Sequence, residues 1–386
     1  MGAASLDHVQ LRGGLLAMML GQLLMACTTE SRSASDVREI AARTSCSTCT
    51  IELERAGVLA IDSSLPRLDA SGRSCLLARA SSGEILFGGA IAGDGIEVYD
   101  AEGHWLRRIG RRGAGPGEFG PMVRLLLTPE DSILVIDDTN IRVQVLSPSG
   151  QYVRSWNAPA RYQSVALTQR RTLMFYRPPQ RLSDPTFLEL DMNGTELAAF
   201  GRPAGRLDVE AGFVSGSSDG GAWYGRYWEF TIQRHPPECC ESGSRFKLEL
   251  DWFPPNEPYP EHPFRAAQPP AALYDVREDS SGYLWTFTAA PDPAWKAGTA
   301  PDMTPEWYRR TFDTIVLVLD VERSTVLATK RFDHRFSLTC AGDLLYRIDE
   351  SASGEPRLEM YRLRLSDQLG TQGQGTSAGT LPHRTP

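Results

Sequence analysis

The sequence predicts an all-β fold built from six repeated units of four strands each. Short apolar runs that are typical of strands alternate with turn-forming residues, at the spacing of about forty to fifty residues expected of propeller blades. The clearest unit runs from Arg124 to Trp156, where Pro-Glu-Asp-Ser, Asp-Asp-Thr-Asn and Ser-Pro-Ser-Gly follow strand-like runs. Because each unit exposes an apolar face that it cannot cover alone, packing of the units around an axis predicts a six-bladed β-propeller with four-stranded antiparallel blades.

The number of blades follows from the first hairpin of each unit. Six copies of this hairpin occupy residues 76–86, 124–137, 164–176, 212–225, 274–288 and 335–349. The turn between the third and fourth strands recurs around Gly103, Gly150 and Gly194. Six blades account for residues 46–366, the predicted propeller domain.

The last blade has three strands in sequence, at Phe336–Cys340, Leu344–Ile348 and Leu358–Leu365, so its fourth strand must come from elsewhere. An N-terminal segment, at about residues 51–59, alternates apolar and polar residues in its first half, as an outer strand with one wet face does. We expect this segment to pair with Leu358–Leu365 and to close the ring.

The first residues predict export and a lipid anchor. The apolar run Leu15–Ala26 is too short to span a bilayer and suits the core of a signal peptide. It ends in Leu-Met-Ala-Cys27, which resembles the bacterial lipobox, so we expect residues 1–26 to be a lipoprotein signal peptide and Cys27 to be lipidated. An Asp directly after the lipidated Cys resembles an inner-membrane retention signal. This chain has Thr28 at that position instead. The prediction is therefore an extracytoplasmic protein, lipid-anchored in the outer membrane of a Gram-negative bacterium, with residues 27–45 as a tether.

The charge of the chain limits its possible partners, and its cysteines indicate what covalent chemistry to expect. The formal charge of −8 is spread along the chain without a basic block, which excludes nucleic acid as a partner. After Cys27, six cysteines remain in an oxidising compartment. Cys46 and Cys49 are candidates for a local disulfide; a redox pair or half of a zinc site is the alternative. Metal or peroxide chemistry at Cys239 and Cys240 is not favoured.

The segment Gly115-Pro-Gly-Glu-Phe-Gly-Pro121, followed by Ile136-Asp-Asp-Thr-Asn140-Ile-Arg-Val-Gln-Val145, resembles the repeat of the NHL family. It lacks one spacer residue before the Asn. The resemblance implies a propeller in which the glycines form the crossing between blades. From the residues themselves, Asp137, Asp138 and Asn140 are expected to build a turn and not a calcium site, and Arg142 to satisfy turn carbonyls with its five donors.

Two insertions break the period and are natural places for function, because loops on a rigid scaffold are free to carry binding groups. Residues 252–270 are Pro-rich, and residues 291–310 contain a helix-start signal at Thr304-Pro-Glu-Trp307. We expect that helix to cover one mouth of the propeller. Residues 367–386 have almost no apolar content and are predicted to form a disordered tail.

Standard catalytic signatures are absent from the sequence. The resemblance to NHL-like propellers leaves an enzyme function as an alternative. Some propellers with such blades are lyases that hold zinc on axial histidines, and related lactonases use calcium. Here, His235, His262 and His334 are the histidines that could contribute. Three functions therefore stay open: a noncatalytic binding propeller, a metal-dependent hydrolase or lyase, and a structural component of the envelope.

The sequence favours the first of these functions, with no cofactor, and zinc or calcium as the alternative. The expected partners are the membrane, through the lipid anchor, and an unidentified protein, peptide or glycan. Side chains near the beginnings of the innermost strands, in an aromatic patch of the fourth unit and in the expected helix are the candidate ligand contacts: Arg124, Arg161, Tyr162, Tyr227, Trp228, Trp307, His334 and Arg335.

Overall fold

The computed structural model describes residues 37–60, 75–88, 95–121, 123–159, 162–178, 180–181, 183–201, 212–237, 243–253, 269–295, 311–339, 344–350 and 356–367. Within these ranges the chain forms 27 β-strands. No helix in the described ranges has the length and apolar character needed to cross a bilayer.

The strands form six antiparallel blades, as predicted. In blades 1 to 5 the four strands follow one another in the chain from the innermost to the outermost. Blade 1 comprises β3 (Leu77–Arg79), β4 (Ile85–Phe87), β5 (Ile96–Tyr99) and β6 (Trp105–Ile109). Blade 2 comprises β9 (Val123–Leu127), β10 (Ile133–Asp137), β11 (Arg142–Leu146) and β12 (Tyr152–Asn157). Blade 3 comprises β13 (Ser164–Leu167), β14 (Leu173–Tyr176), β15 (Phe187–Leu190) and β16 (Glu196–Phe200).

Blade 4 comprises β17 (Gly212–Gly216), β18 (Ala222–Arg226), β19 (Thr231–His235) and β20 (Arg245–Leu248). Blade 5 comprises β21 (Ala272–Glu278), β22 (Leu284–Pro291), β23 (Phe312–Asp320) and β24 (Thr325–Phe332). A short parallel pair, β7 (Arg111–Arg112) and β8 (Glu118–Phe119), lies in the crossing from blade 1 to blade 2.

Blade 6 closes the ring in the predicted way. Its inner strands are β25 (Ser337–Leu338), β26 (Leu344–Glu350) and β27 (Pro356–Asp367), and its outermost strand is the N-terminal β2 (Cys49–Ala60). The register pairs Ile51 with Leu365 and Leu59 with Leu358. The ring is therefore held shut by hydrogen bonds between segments more than 300 residues apart in the chain.

The strand β1 (Val37–Thr44) corrects the expectation that residues 27–45 are only a tether. Its first half pairs in parallel with β20 and its second half with β24, so it joins the outermost strands of blades 4 and 5 into one nine-stranded sheet. Only Ile40 is buried, at 5% exposure. The segment has no alternating apolar pattern because it satisfies strand edges and covers little of the core.

Apolar faces of neighbouring blades pack against each other and form the core. Leu125 and Val135 of blade 2 pack on Ala78 and Leu86 of blade 1, and the same arrangement continues around the ring. Leu59 of the closing strand is fully buried against blade 1 residues such as Phe87. Closure therefore contributes an apolar interface as well as hydrogen bonds.

The segment that resembles NHL repeats has the expected scaffold role. The buried Asp137 carboxylate accepts hydrogen bonds from Gly120 N at 3.1 Å and from the backbone and side chain of Asn140 at 3.0 and 2.7 Å. Arg142 donates to the carbonyls of Gly115 at 3.1 Å and Glu118 at 2.7 Å. The turn of blade 2 thereby fixes the crossing loop that reaches it from blade 1.

We expect Leu59→Ala to lower the free energy of unfolding by about 2–5 kcal/mol, because it removes fully buried apolar volume from the closing strand. Urea denaturation followed by tryptophan fluorescence measures the change. Leu197→Ala is the matched control, since Leu197 is 53% exposed on the outer strand of blade 3 and its loss should change stability by less than about 0.5 kcal/mol. Equal losses at the two positions would contradict the closing role.

Candidate functional site

The innermost strands of a propeller surround its axis and run in one direction. We call the face where these strands begin the top face and the face where they end the bottom face. Among the candidate ligand residues named from the sequence, Arg124, Tyr162, His334 and Arg335 were chosen near the beginnings of the innermost strands, at the top face. A cavity of about 850 Å³ lies at the bottom face.

Five hairpin turns of the same geometry surround the axis at the bottom face. Their first residues are Ala80, Thr128, Thr168, Ser217 and Asp279, and in each turn the fourth residue's N–H donates to the first residue's carbonyl at 2.9–3.1 Å. The fourth residue has a positive φ in every copy: Gly83, Asp131, Arg171, Gly220 and Gly282. Equivalent turns on successive blades place equivalent side chains in a ring.

This ring encloses a cavity of about 850 Å³, which we call the axial cup. Its described lining residues lie within 79–83, 127–131, 167–169, 215–218 and 277–280, together with Leu344 and Arg362 of blade 6. All six blades therefore contribute to the cup. Its volume is in the range of known ligand pockets.

Hydrogen bonds between neighbouring turns stiffen the rim of the cup. The Asp131 carboxylate of blade 2 accepts hydrogen bonds from the amide and hydroxyl of Ser81 in blade 1. The Glu278 carboxylate of blade 5 accepts from the Ser217 hydroxyl at 2.7 Å and from Trp223 Nε1 at 2.7 Å in blade 4, and these donors hold the pKa of Glu278 below its ordinary value against the opposing effect of burial. The rim is thus largely preorganised.

Some polar side chains of the cup have no such partner. Within the described ranges, the side chains of Arg79, Gln169, Ser215 and Ser280 make no hydrogen bond or ion pair. Each lines the cavity. These groups can therefore bind a ligand without breaking a bond of the scaffold.

A second cavity of about 700 Å³ lies between blades 5 and 6, and we call it the blade 5–6 groove. Its described apolar lining consists of Tyr283, Trp285, Phe287, Leu338, Leu345, Leu363 and Leu365. Residues 277–280 line both the groove and the cup. The two cavities are therefore neighbours that share one wall.

Arg277 lies where all the cavities meet, because it also lines a narrow space of about 80 Å³ along the axis above the cup. Its guanidinium contacts the Asp275 carboxylate at 3.3 Å and donates to the Thr339 carbonyl of blade 6. Asp275 follows a register shift at Leu273/Asp275, and bulges of this kind re-aim side chains. Burial raises the pKa of the Asp275 carboxyl, and the charge of Arg277 opposes that rise.

At the top face, the predicted candidates Arg124 and Tyr162 meet between blades 2 and 3. Arg124 lies 4.9 Å above the Tyr162 ring and 3.3 Å from the Asp138 carboxylate, which also accepts a hydrogen bond from the Tyr162 hydroxyl. Burial is the main cause that raises the pKa of Tyr162 above its ordinary value. The cluster is saturated by its own contacts and lines none of the three cavities.

The other candidates are dispersed. Arg335 is 8% exposed and stacks at 3.6 Å on the Tyr274 ring, whose hydroxyl donates to Phe336 O at 3.0 Å. His334 is half exposed beside Asp333, and Tyr227 is buried and lines the narrow axial space. Trp228 packs at the edge of the core. Arg161 and Trp307, and with Trp307 the expected helix, lie outside the described residues.

None of the described candidate residues named from the sequence lines the axial cup. Arg79, Gln169, Ser215, Arg277 and Ser280 were not among the candidates. Their common signal is position: each lies within two residues of the first residue of an inner hairpin turn, and those turns were recognised as repeats.

The described histidines His235 and His334 lie in different parts of the ring. His235 is 2% exposed between Phe187 and Phe200, with ring centroids 4.5 and 5.3 Å away, and neither ring nitrogen has a hydrogen-bond partner. It lies between blades 3 and 4, far in the chain from His334 in the crossing to blade 6. No group of three His, Cys, Asp or Glu side chains among the described residues could hold a metal ion. His262, Cys239 and Cys240 lie outside the described residues.

The structure joins Cys46 and Cys49 by a disulfide, with their Cα atoms 5.4 Å apart. The bond spans the turn that leads from β1 to the closing strand β2. Cys75, just before the innermost strand of blade 1, is also disulfide-bonded.

Comparison with known proteins supports the fold. A family model described as a 6-bladed beta-propeller, DUF5128, matches residues 89–208, which is less than half of the chain. No curated protein matches the sequence significantly.

Solved structures extend the similarity to most of the chain. A member of the DUF4221 family from Bacteroides vulgatus has 12% identity and a TM-score of 0.58, and the match covers 83% of this chain and 99% of that one. A candidate exported protein from Bacteroides fragilis has 13% identity and a TM-score of 0.53, with 86% and 99% covered. Virginiamycin B lyase from Staphylococcus aureus has 10% identity and a TM-score of 0.45, with 82% and 100% covered. At these identities the two matches with TM-scores above 0.5 support the overall fold and show nothing about chemistry.

We expect His235 to make the fold sensitive to acid. Burial lowers the pKa of His235 from 6.5 to about 4, so the folded protein keeps the ring neutral where the unfolded chain takes up a proton. The contribution is fully present above pH 6.5 and is lost as the pH falls to about 4, a change of about 3 kcal/mol.

His235→Phe, which fits the surrounding aromatic rings, should remove this part of the pH dependence. Urea denaturation of both proteins between pH 8 and pH 4 measures it, and the difference between their unfolding free energies should change mainly below pH 6.5. A difference that stays constant across this range would show that His235 does not titrate as described.

Proposed function

We propose that this protein is a noncatalytic binding propeller of the cell envelope, which holds a protein, peptide or glycan partner in the axial cup. The observation that carries the proposal is the ring of hairpin turns around a cavity of about 850 Å³, with Arg79, Gln169, Ser215 and Ser280 left unbonded among the described residues. A preorganised rim with free polar groups favours binding, because little order has to be gained when a ligand arrives.

The proposal includes no catalytic metal. Metal-dependent hydrolases and lyases need a cluster of ligands on rigid elements, with further groups to orient them. Among the described residues no such cluster exists, and His235 and His334 lie on different blades. The described charged side chains of the cup already have partners, apart from Arg79, which suits a positioning role and not proton transfer.

We also propose that the protein is an exported lipoprotein anchored through Cys27, in the outer membrane. The lipobox-like sequence Leu-Met-Ala-Cys27 supports this. The resemblance of residues 115–145 to NHL repeats stays a prediction and adds no ligand.

We expect Cys27→Ser to release the protein from the membrane. Without the thiol no acyl chains can be attached, and anchoring by two or more chains is what makes membrane attachment stable. Labelling of cells with a clickable palmitate analogue, followed by membrane fractionation, measures both effects. Thr29→Ser is the control, since it leaves Cys27 and every disulfide intact. Label on the Cys27→Ser protein would contradict the anchor.

We expect a photo-crosslinking amino acid at position 169 to capture the partner in intact cells. Gln169 lines the cup, and its side chain makes no hydrogen bond within the described ranges, so its replacement breaks no contact of the scaffold. The same amino acid at Glu196, exposed on the outer strand of blade 3, is the matched control and should capture nothing. Mass spectrometry identifies the adduct. Its yield should fall in Arg79→Ala.

Two results would contradict the proposal. Adducts that form equally at both positions would place binding outside the cup. Stoichiometric zinc or calcium in protein purified without chelator, together with hydrolysis of lactones or esters, would favour an enzyme.

A further inference from the structure

We infer that the ligand of the cup is an acidic peptide segment carrying large apolar side chains, with its carboxylates in the axial cup and its apolar side chains in the blade 5–6 groove. This inference rests on the proposed function and adds the chemical class of the ligand.

The cup contains equal numbers of opposite charges, but they are not equally available. Its three described carboxylates are those of Asp131, Glu278 and Asp279. Asp131 accepts two hydrogen bonds from Ser81, and Asp279 accepts from Ser281 N at 2.8 Å, Tyr283 N at 3.0 Å and Trp285 Nε1 at 2.8 Å. Glu278 is bound by the blade 4 donors described above.

Arg79 differs from these carboxylates because its guanidinium, half-buried at the end of β3, has no hydrogen bond or ion pair within the described ranges. Five donors in a planar fork match a carboxylate. Among the described charged side chains that line the cup, Arg79 is therefore the one with all its hydrogen-bond donors unused, although the whole chain carries −8. A carboxylate is the complementary group.

The remaining open groups suit a peptide backbone. The Gln169 amide and the hydroxyls of Ser215 and Ser280 both donate and accept hydrogen bonds, as peptide N–H and C=O groups require. No described residue that lines the cup is aromatic, and the aromatic residues of the whole site lie in the neighbouring groove. A free guanidinium beside an apolar groove favours a peptide with acidic and apolar side chains over a glycan, which carries no large apolar side chains.

The groove supplies the apolar half of the site. Tyr283, Trp285 and Leu363 line a space of about 700 Å³, large enough for more than one apolar side chain. Asp279 fixes the indole of Trp285 through Nε1, so this wall is rigid. Burial of a Leu or Phe side chain here removes apolar surface from water and should raise the affinity about tenfold or more.

The shared wall at residues 277–280 determines the shape of the ligand. A molecule that occupies both cavities must be elongated and must place its anionic and apolar groups on either side of Arg277. Because Asp275 and the Thr339 carbonyl hold Arg277, this wall has a defined position. A short extended peptide with acidic and apolar residues in succession meets these requirements.

The test uses three fluorescein-labelled peptides on the protein without residues 1–27. The first is Asp-Asp-Gly-Leu-Phe-amide, the second replaces both Asp by Asn, and the third replaces Leu-Phe by Ala-Ala. Fluorescence anisotropy should give an affinity for the first peptide about tenfold or more above that for either of the others. Raising the salt concentration should weaken the two Asp peptides and not the Asn peptide.

Variants separate the two halves of the site. Arg79→Ala should lower the affinity for the first peptide about tenfold and leave the Asn peptide unchanged. Tyr283→Ser should remove the advantage of Leu-Phe over Ala-Ala. Arg112→Ala is the matched control for charge, since Arg112 is exposed in the crossing between blades 1 and 2, and it should change neither affinity. Thermal melts confirm that each variant is folded.

The outcomes distinguish this inference from the function on which it rests. Equal binding of the Leu-Phe and Ala-Ala peptides, with no effect of Tyr283→Ser, would overturn the role of the groove. Failure of all three peptides, with crosslinking at Gln169 retained, would overturn the peptide inference and leave a binding propeller. Loss of crosslinking at Gln169 as well would overturn both.

Discussion

The pairing of β2 with β27 is the interaction on which the rest of the molecule depends. Each blade buries its apolar faces only if it has a neighbour on both sides, and blade 6 meets blade 1 through the closing strand, where Leu59 is fully buried. Without that strand, the faces of blades 1 and 6 would meet water and the inner hairpin turns would no longer form a ring. The axial cup exists because the ring is closed.

The repeat pattern made most of this architecture predictable. A strand that packs a blade leaves alternating or continuous apolar residues in the sequence, so the six inner hairpins and the closing segment near residues 51–59 could be recognised. The strand β1 could not, because seven of its eight residues are exposed and only Ile40 packs. Its stability comes from backbone hydrogen bonds to two strand edges, and such bonds leave no pattern of side chains.

The candidate site was harder to predict for a related reason. Arg124, Tyr162 and Arg335 have the composition of a binding surface, but in the fold their groups satisfy one another or stack on neighbours. Arg79 and Ser215 have no distinguishing sequence context. They become candidates only in the folded ring, where the other polar groups of the cup are already hydrogen-bonded and these are not. Side-chain availability is a property of the assembled ring, and no local motif encodes it.

The strand β1 also determines how the molecule would respond to mechanical force. A pull on the chain before Val37 that acts along β1 loads the slanted hydrogen bonds of its parallel pairing mainly in shear. The register passes this load first to β20 of blade 4 and then to β24 of blade 5, before it reaches the disulfide between Cys46 and Cys49 and the closing strand. A protein tethered at this point would carry tension on the circumference of two blades, and the ring-closing strand would be shielded from it.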